Sequence, residues 1–172
     1  MSPEPAAPAG AFAIRLVDHD DYAALGRITL TAYEGNRDDL GDDYRQELRD
    51  VAARAAACPV LVAVASDGEV LGGVAYVPGP ENPMSELERG GEAGIRMLAV
   101  DPAAQGLGVG RALTVACLER ARAEGRSGVA LYTRPANVPA QGLYESLGFV
   151  RDVDRDWEYE PGRWLWAFQL AF

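Results

Sequence analysis

The chain has 172 residues, 48% of them hydrophobic, which is enough for one domain with a full core and cramped for two. Its formal charge is −10, and all 16 basic residues are arginine, so the basic footprint of a nucleic-acid-binding protein is excluded. No stretch is apolar for long enough to cross a membrane, and Cys58 and Cys117, each in an apolar helical setting, read as reduced core thiols of a cytoplasmic protein.

Residues 1–10 lack the basic start and apolar run of a signal peptide and are expected to be a disordered tail ahead of a single domain over residues 11–172. Ala11 to Val17 alternates as a strand, and Asp18 or Asp20 offers an N-cap for a helix that reaches about Ala32 and ends near Gly35. An acidic loop, Asp38 to Asp43, leads into a helix over Tyr44 to Ala57, stopped by Cys58-Pro59. Val60 to Ala65 and Val70 to Val77 form a hairpin around the turn Ser66-Asp67-Gly68-Glu69. Pro78 to Gly91 reads as an irregular surface loop, and Gly91 to Val100 as the central strand. Helical spacing runs from Gly108 to Glu124 and Gly125 ends it. A strand at Val129 to Thr133 and a short helix at Val138 to Leu147 follow. Two last strands, about Phe149 to Tyr159 and Trp164 to Phe172, turn at Glu160 to Arg163. Strands and helices alternate in the middle with hairpins at both ends, which predicts a mixed α/β fold with helices on the faces of one sheet.

The segment Val100 to Gly110, Val-Asp-Pro-Ala-Ala-Gln-Gly-Leu-Gly-Val-Gly, carries the strongest chemical signal. It joins a strand to a helix through closely spaced glycines, so the unpaired amides of the helix start face outward where the helix dipole favours an anion. Gly106, Gly108 and Gly110 leave no side chains to hold a pyrophosphate off those amides. No Lys-Ser/Thr follows, as in a P-loop, and no Gly-x-Gly-x-x-Gly opens a βαβ unit.

The pattern Gln105-x-x-Gly108-x-Gly110 resembles motif A of the GCN5-related N-acetyltransferases. Downstream, Asn137-x-x-Ala140-x-x-Leu143-Tyr144-x-x-Leu147-Gly148-Phe149 resembles motif B, so the likeness covers roughly residues 92–149. It implies a largely antiparallel mixed sheet of about seven strands and about four helices, with two central strands splayed apart. It further implies acetyl-CoA as cofactor: pyrophosphate on the amides of Gln105, Gly106, Leu107, Gly108, Val109 and Gly110 with Arg111 adding charge, and the pantetheine arm along Leu98, Ala99 and Val100. A bulge in the first splayed strand would free the backbone there. Arg134 is a further candidate for a phosphate contact.

Acetylating an alkyl amine at pH 7 requires removing its proton, at about 4 to 5 kcal/mol for a pKa near 10.4. Histidine is nearly excluded as the acceptor, because His19 is the only one and sits in an acidic turn. Histone-type members of the family carry a glutamate six residues before the equivalent of Val100, which here is Gly94. Members acetylating a ribosomal protein carry one at the position of Glu92. Glu92 is therefore the candidate base, the alternative being a solvated strand-end carboxylate. Tyr144 matches the family's acid for the departing thiolate, or is a core tyrosine. Asn137 matches a pantetheine contact, or is a plain N-cap. Trp157, Tyr159, Trp164 and Trp166 either pack across the final hairpin or wall the acceptor pocket.

The expected activity is direct transfer of acetyl to the primary amine of a small molecule, a cationic amine fitting the acidic surface better, with no metal, nucleic acid or membrane involved. A protein or peptide amine is the alternative acceptor. A non-catalytic acyl-CoA-binding module is the alternative of another class; the oligomeric state stays open, the resemblance allowing a homodimer with the aromatic last strand as a candidate interface.

Overall fold

The computed structural model describes residues 11–36 and 39–172; the expected tail and Asp38 of the acidic loop lie outside the described residues. Within them, eight strands form one sheet in the order β1-β2-β3-β4-β5-β8-β6, with β7 paired to β8. The strands are β1 (Phe12–Leu16), β2 (Val60–Ala65), β3 (Val70–Val77), β4 (Glu92–Val100), β5 (Gly128–Thr133), β6 (Val150–Arg151), β7 (Trp157–Glu160) and β8 (Arg163–Ala171). Five α-helices cover it: α1 (Tyr22–Glu34), α2 (Asp42–Arg49), α3 (Val51–Ala57), α4 (Val109–Ala123) and α5 (Val138–Ser146). Only β4 and β5 pair in parallel; the other ladders are antiparallel, as hairpin connections require.

Each sheet face buries a separate apolar layer. Leu113, Cys117 and Leu118 of α4 and Tyr144 of α5 pack on Val74, Ile95, Val129, Leu131 and Phe168. On the opposite face Leu25 and Ile28 of α1 and Val51 of α3 pack on Val60, Val62, Ala75 and Ala99. Gly73 makes that second layer close: a Cβ there would lie 2.5 Å from Leu25 Cδ1, so α1 rests directly on the β3 backbone.

Two expected elements are divided. The helix expected over Tyr44 to Ala57 breaks at Asp50, which has φ −81° and ψ 73° and whose carboxylate accepts the Ala53 N–H, so it closes α2 and caps α3. The long strand expected from Phe149 to Tyr159 is interrupted by a 3-10 helix at Val153–Arg155. There the Asp156 carboxylate takes both the Arg151 guanidinium and the Ala167 N–H, turning the chain away from the ladder. These two divisions give five helices and eight strands where about four and about seven were expected.

The centre of the sheet splays. The β4–β5 register runs from Glu92↔Gly128 to Ile95↔Leu131 and stops, although β4 continues to Val100 and β5 to Thr133. Two residues beyond Ile95, Met97 has φ +53°, and the β3–β4 register shifts at the same level. This is the bulge the resemblance implied. A strict period of two along the strand would put Leu98 on one face with Glu92, Gly94 and Arg96, and the bulge prevents it. The extra residue returns Leu98 and Val100 to the α4 side with Ala93 and Ile95, and gives the other side Met97 and Ala99.

Candidate active site

The β4–α4 connection presents backbone to solvent. Asp101 caps a 3-10 helix at Pro102–Ala104, its carboxylate accepting from the Ala103 N–H at 2.9 Å. The chain then runs exposed through Gln105, Gly106, Leu107 and Gly108. Gly106 and Gly108 both have φ +81°, and a Cβ on either would meet nothing within 4 Å. No side chain caps α4 at Gly108, so its first-turn amides stay open. Gly110 differs: its Cα faces Leu143 and Val100, which would lie 3.6 Å from a Cβ, so it seats α4 against α5 and β4. Arg111 at the same helix start is exposed and donates to Ser146 Oγ at 3.0 Å.

Past Ile95 the gap between β4 and β5 opens into a cavity of about 540 Å³. Its floor and flank come from Ile95, Arg96, Met97 and Leu98 of β4, Tyr132 and Thr133 of β5, and Asn137, Ala140 and Tyr144 at α5. Tyr33 of α1, Asp39 and Tyr44 form one wall. Trp157, Tyr159, Arg163 and Leu165 of the β7–β8 hairpin form the other, and the Asp39 and Arg163 side chains form an ion pair between the two walls.

Of the expected residues, Leu98, Asn137 and Tyr144 meet at this cavity. Tyr144 is 5% exposed, its ring tilted against Phe149 and Phe168. Burial raises its phenol well above the ordinary range, with Cys117 adding to the effect, so the hydroxyl stays protonated. Asn137 Oδ1 caps α5 through the Ala140 N–H at 3.3 Å. Arg134 turns to the cavity rather than to the glycine loop and donates to the Tyr159 hydroxyl at 2.8 Å. The hairpin aromatics divide: Trp157 and Tyr159 face the cavity, Trp166 lies under the Arg151 guanidinium and Trp164 is exposed.

Glu92 is placed elsewhere. Both its oxygens accept from the Arg155 guanidinium, at 2.6 and 2.9 Å, and Oε2 also accepts the Arg89 N–H. Burial works to raise its pKa, but these bonds prevail and hold the carboxyl below its ordinary range. It is not among the residues lining the cavity. His19 is exposed beside Asp20. Both cysteines are buried and free, and burial pushes the Cys117 thiol up to about 12, so neither offers a thiolate.

The loop between β3 and β4 holds groups that composition hid. Glu86 lines the cavity, ion-paired to Arg96 at 2.6 Å; burial raises its carboxyl, and Arg96 opposes that. Glu88, two residues on, is 7% exposed. Three prolines made this stretch read as surface; the signal against it was Leu87, an apolar residue amid acids, which packs on Ala130 and Ala167.

A family model described as the acetyltransferase (GNAT) family matches residues 22–149. The chain is 51% identical over 57 residues to mycothiol acetyltransferase of Thermomonospora curvata, which is 33% of this chain and 19% of that protein. Across the first curated relatives it matches, all with that name, it covers between 17% and 30% of their length. A GCN5-related N-acetyltransferase from Kribbella flavida superposes with a TM-score of 0.72 at 25% identity, over 94% of this chain and 98% of that one. The yncA protein of Salmonella typhimurium, solved with acetyl-CoA, gives 0.68 at 24% identity over 94% of both chains and shares the fold. With motif A at the open start of α4, motif B on α5 and a family match across most of its length, the chain belongs to the acetyltransferase (GNAT) family.

Proposed function

We propose that this chain is an acetyl-CoA-dependent N-acetyltransferase that passes the acetyl group directly to the primary amine of a small molecule. The observation that carries the reading is the end of β4–β5 pairing at Ile95↔Leu131, which opens the sheet beside Tyr144, with the glycine loop following the far end of β4. The residues fit the cofactor. Residues 105–108 are exposed, with open space beside the left-handed Gly106 and Gly108, no side chain caps the start of α4, and Arg111 lies in its first turn. The splayed stretch of Leu98, Ala99 and Val100 offers backbone to the pantetheine arm, with Asn137 across the gap.

Bound acetyl-CoA supplies a thioester carbonyl and a good leaving thiol. Tyr144, kept protonated by burial, holds a proton at its hydroxyl for the departing sulfur. The cavity lining sets the carboxylates of Asp39, Glu86 and Glu160 against the guanidinium groups of Arg96, Arg134 and Arg163, so a cationic acceptor rests on the aromatic side chains of Tyr33, Tyr44 and Trp157. The name mycothiol acetyltransferase, carried by relatives, agrees with a small-molecule acceptor.

The test is calorimetric binding of acetyl-CoA with, in the same preparation, thiol release against polyamines, aminoglycosides, amino acids and short peptides. Binding with release by small amines is expected. Release with peptides alone would move the acceptor to the peptide class. Binding without any release would make the chain an acyl-CoA-binding module, and no binding would overturn the reading.

A further inference from the structure

Gly94 lies on β4 at the position where family members with a strand-borne base carry their glutamate, and a glycine cannot hold a proton. The space beside it is filled. A Cβ built on Gly94 would overlap Glu88 Oε1 outright and come within 2.6 Å of Glu88 Cδ; its three nearest neighbours are all atoms of the Glu88 side chain. The carboxyl of a loop residue thus occupies the place of the missing strand side chain.

The two oxygens of that carboxyl are used differently. Oε2 accepts from Ser85 Oγ and from the Glu86 N–H at 2.8 Å, which anchors the group to its own loop. Oε1 is buried and has no hydrogen-bond partner among the described residues. A carboxyl oxygen buried without a partner costs free energy, so such an atom points to a water or ligand that completes it. Its surroundings are defined. Glu86, paired to Arg96, lines the cavity, and Glu88 lies behind that pair, outside the lining, so only water connects it to the cavity; the Tyr132 phenol of β5 is bonded to Arg155 O; and the Arg155 guanidinium, held by Glu92 and Asp152, reaches Leu87 O. The cations nearby are therefore committed to other carboxylates.

We propose that Glu88 supplies from the loop the proton-accepting carboxylate that β4 lacks at Gly94, acting through ordered water on the acceptor amine. The inference rests on the acetyltransferase reading above. In the step, an acceptor ammonium gives one proton through water to the Glu88 carboxylate, leaving a neutral amine and a neutral carboxylic acid; Glu88 then returns the proton to solvent along the same path. Gly94 is part of the device, because any side chain there evicts the carboxyl.

Glu88→Gln keeps the volume and removes the base, so kcat/KM should fall about a hundredfold, the low end of what a positioned base contributes. The acid-side limb of its pH profile should flatten, with acetyl-CoA affinity unchanged by calorimetry. The double variant Glu88→Ala with Gly94→Glu returns the carboxylate to the strand and should recover activity to within about tenfold, together with the limb. Placement has a readout without turnover: Gly94→Ala should lower Tm in the native background and leave it unchanged beside Glu88→Ala. A native rate and limb in Glu88→Gln would overturn the proposal, as would loss of the limb in Glu86→Gln alone. Absence of turnover in the native chain would overturn the acetyltransferase reading and this proposal with it, whereas turnover indifferent to Glu88 overturns this one only.

Discussion

Tyr144 is placed both for packing and, under the proposed reaction, for proton donation. Its ring packs in the layer between α5 and the sheet, and the residue also lines the cavity. A phenol gives its proton to a thiolate uphill by about 2 kcal/mol at ordinary pKa values, and burial adds to that slope, so the proposed acid role carries limited help. Tyr144→Phe should therefore lower kcat by about 10- to 100-fold with acetyl-CoA affinity intact, checked by steady-state kinetics beside calorimetry; an unchanged kcat removes the acid role. Glu92 behaves as a structural ion. Because its folded pKa is lowered, its contribution is present above the unfolded value, near 4.5, and is lost as pH falls through the folded one. Glu92→Gln should cost about 1 to 3 kcal/mol in denaturant melts at pH 7, and the gap should close below pH 4.5. Tyr144 and Asn137 were legible because their motif is local. The partnership of Glu92 was not, because Arg155 lies 63 residues away and reaches it through the turn that interrupts the last strands. Glu88 was hidden for a different reason: a contact between a loop residue and the strand that follows it leaves no periodicity to read.

At the scale of elements, the glycine loop is the part most directly written in the sequence. Gly106 and Gly108 take left-handed backbone that other residues enter at about 1 to 2 kcal/mol. Gly108→Ala should thus cost about that much stability and, by placing a methyl over the α4 amides, weaken acetyl-CoA binding at least about tenfold in calorimetry. The breaks were harder to see. Asp50 divides α2 from α3, yet Leu48 and Val51 on either side are both buried, so the apolar spacing continues across the break and reads as one helix. Asp152 to Asp156 interrupts the last strands through ion pairs to Arg151 and Arg155, which an alternating pattern does not record.

Across the whole molecule the sheet consists of two antiparallel halves, β1 to β4 and β5 to β8, joined by four parallel residue pairs from Glu92↔Gly128 to Ile95↔Leu131. A ligand seated beyond that seam binds the folded state alone, so acetyl-CoA at a hundred times its Kd should stabilise the chain by about 2.7 kcal/mol, read as a concentration-dependent Tm. The order of strands and helices that creates the seam followed from alternating patterns. The depth of the opening did not, because it depends on where β4 and β5 stop pairing. That stopping point also makes the protein its own reporter of occupancy. The β5-facing amides of residues 96–100 lack a sheet partner from β5, so in deuterated water they should exchange quickly in the ligand-free chain. Slowing of those few amides on addition of cofactor, while residues 92–95 stay unchanged, would register the arrival of a third strand between the halves, one backbone position at a time.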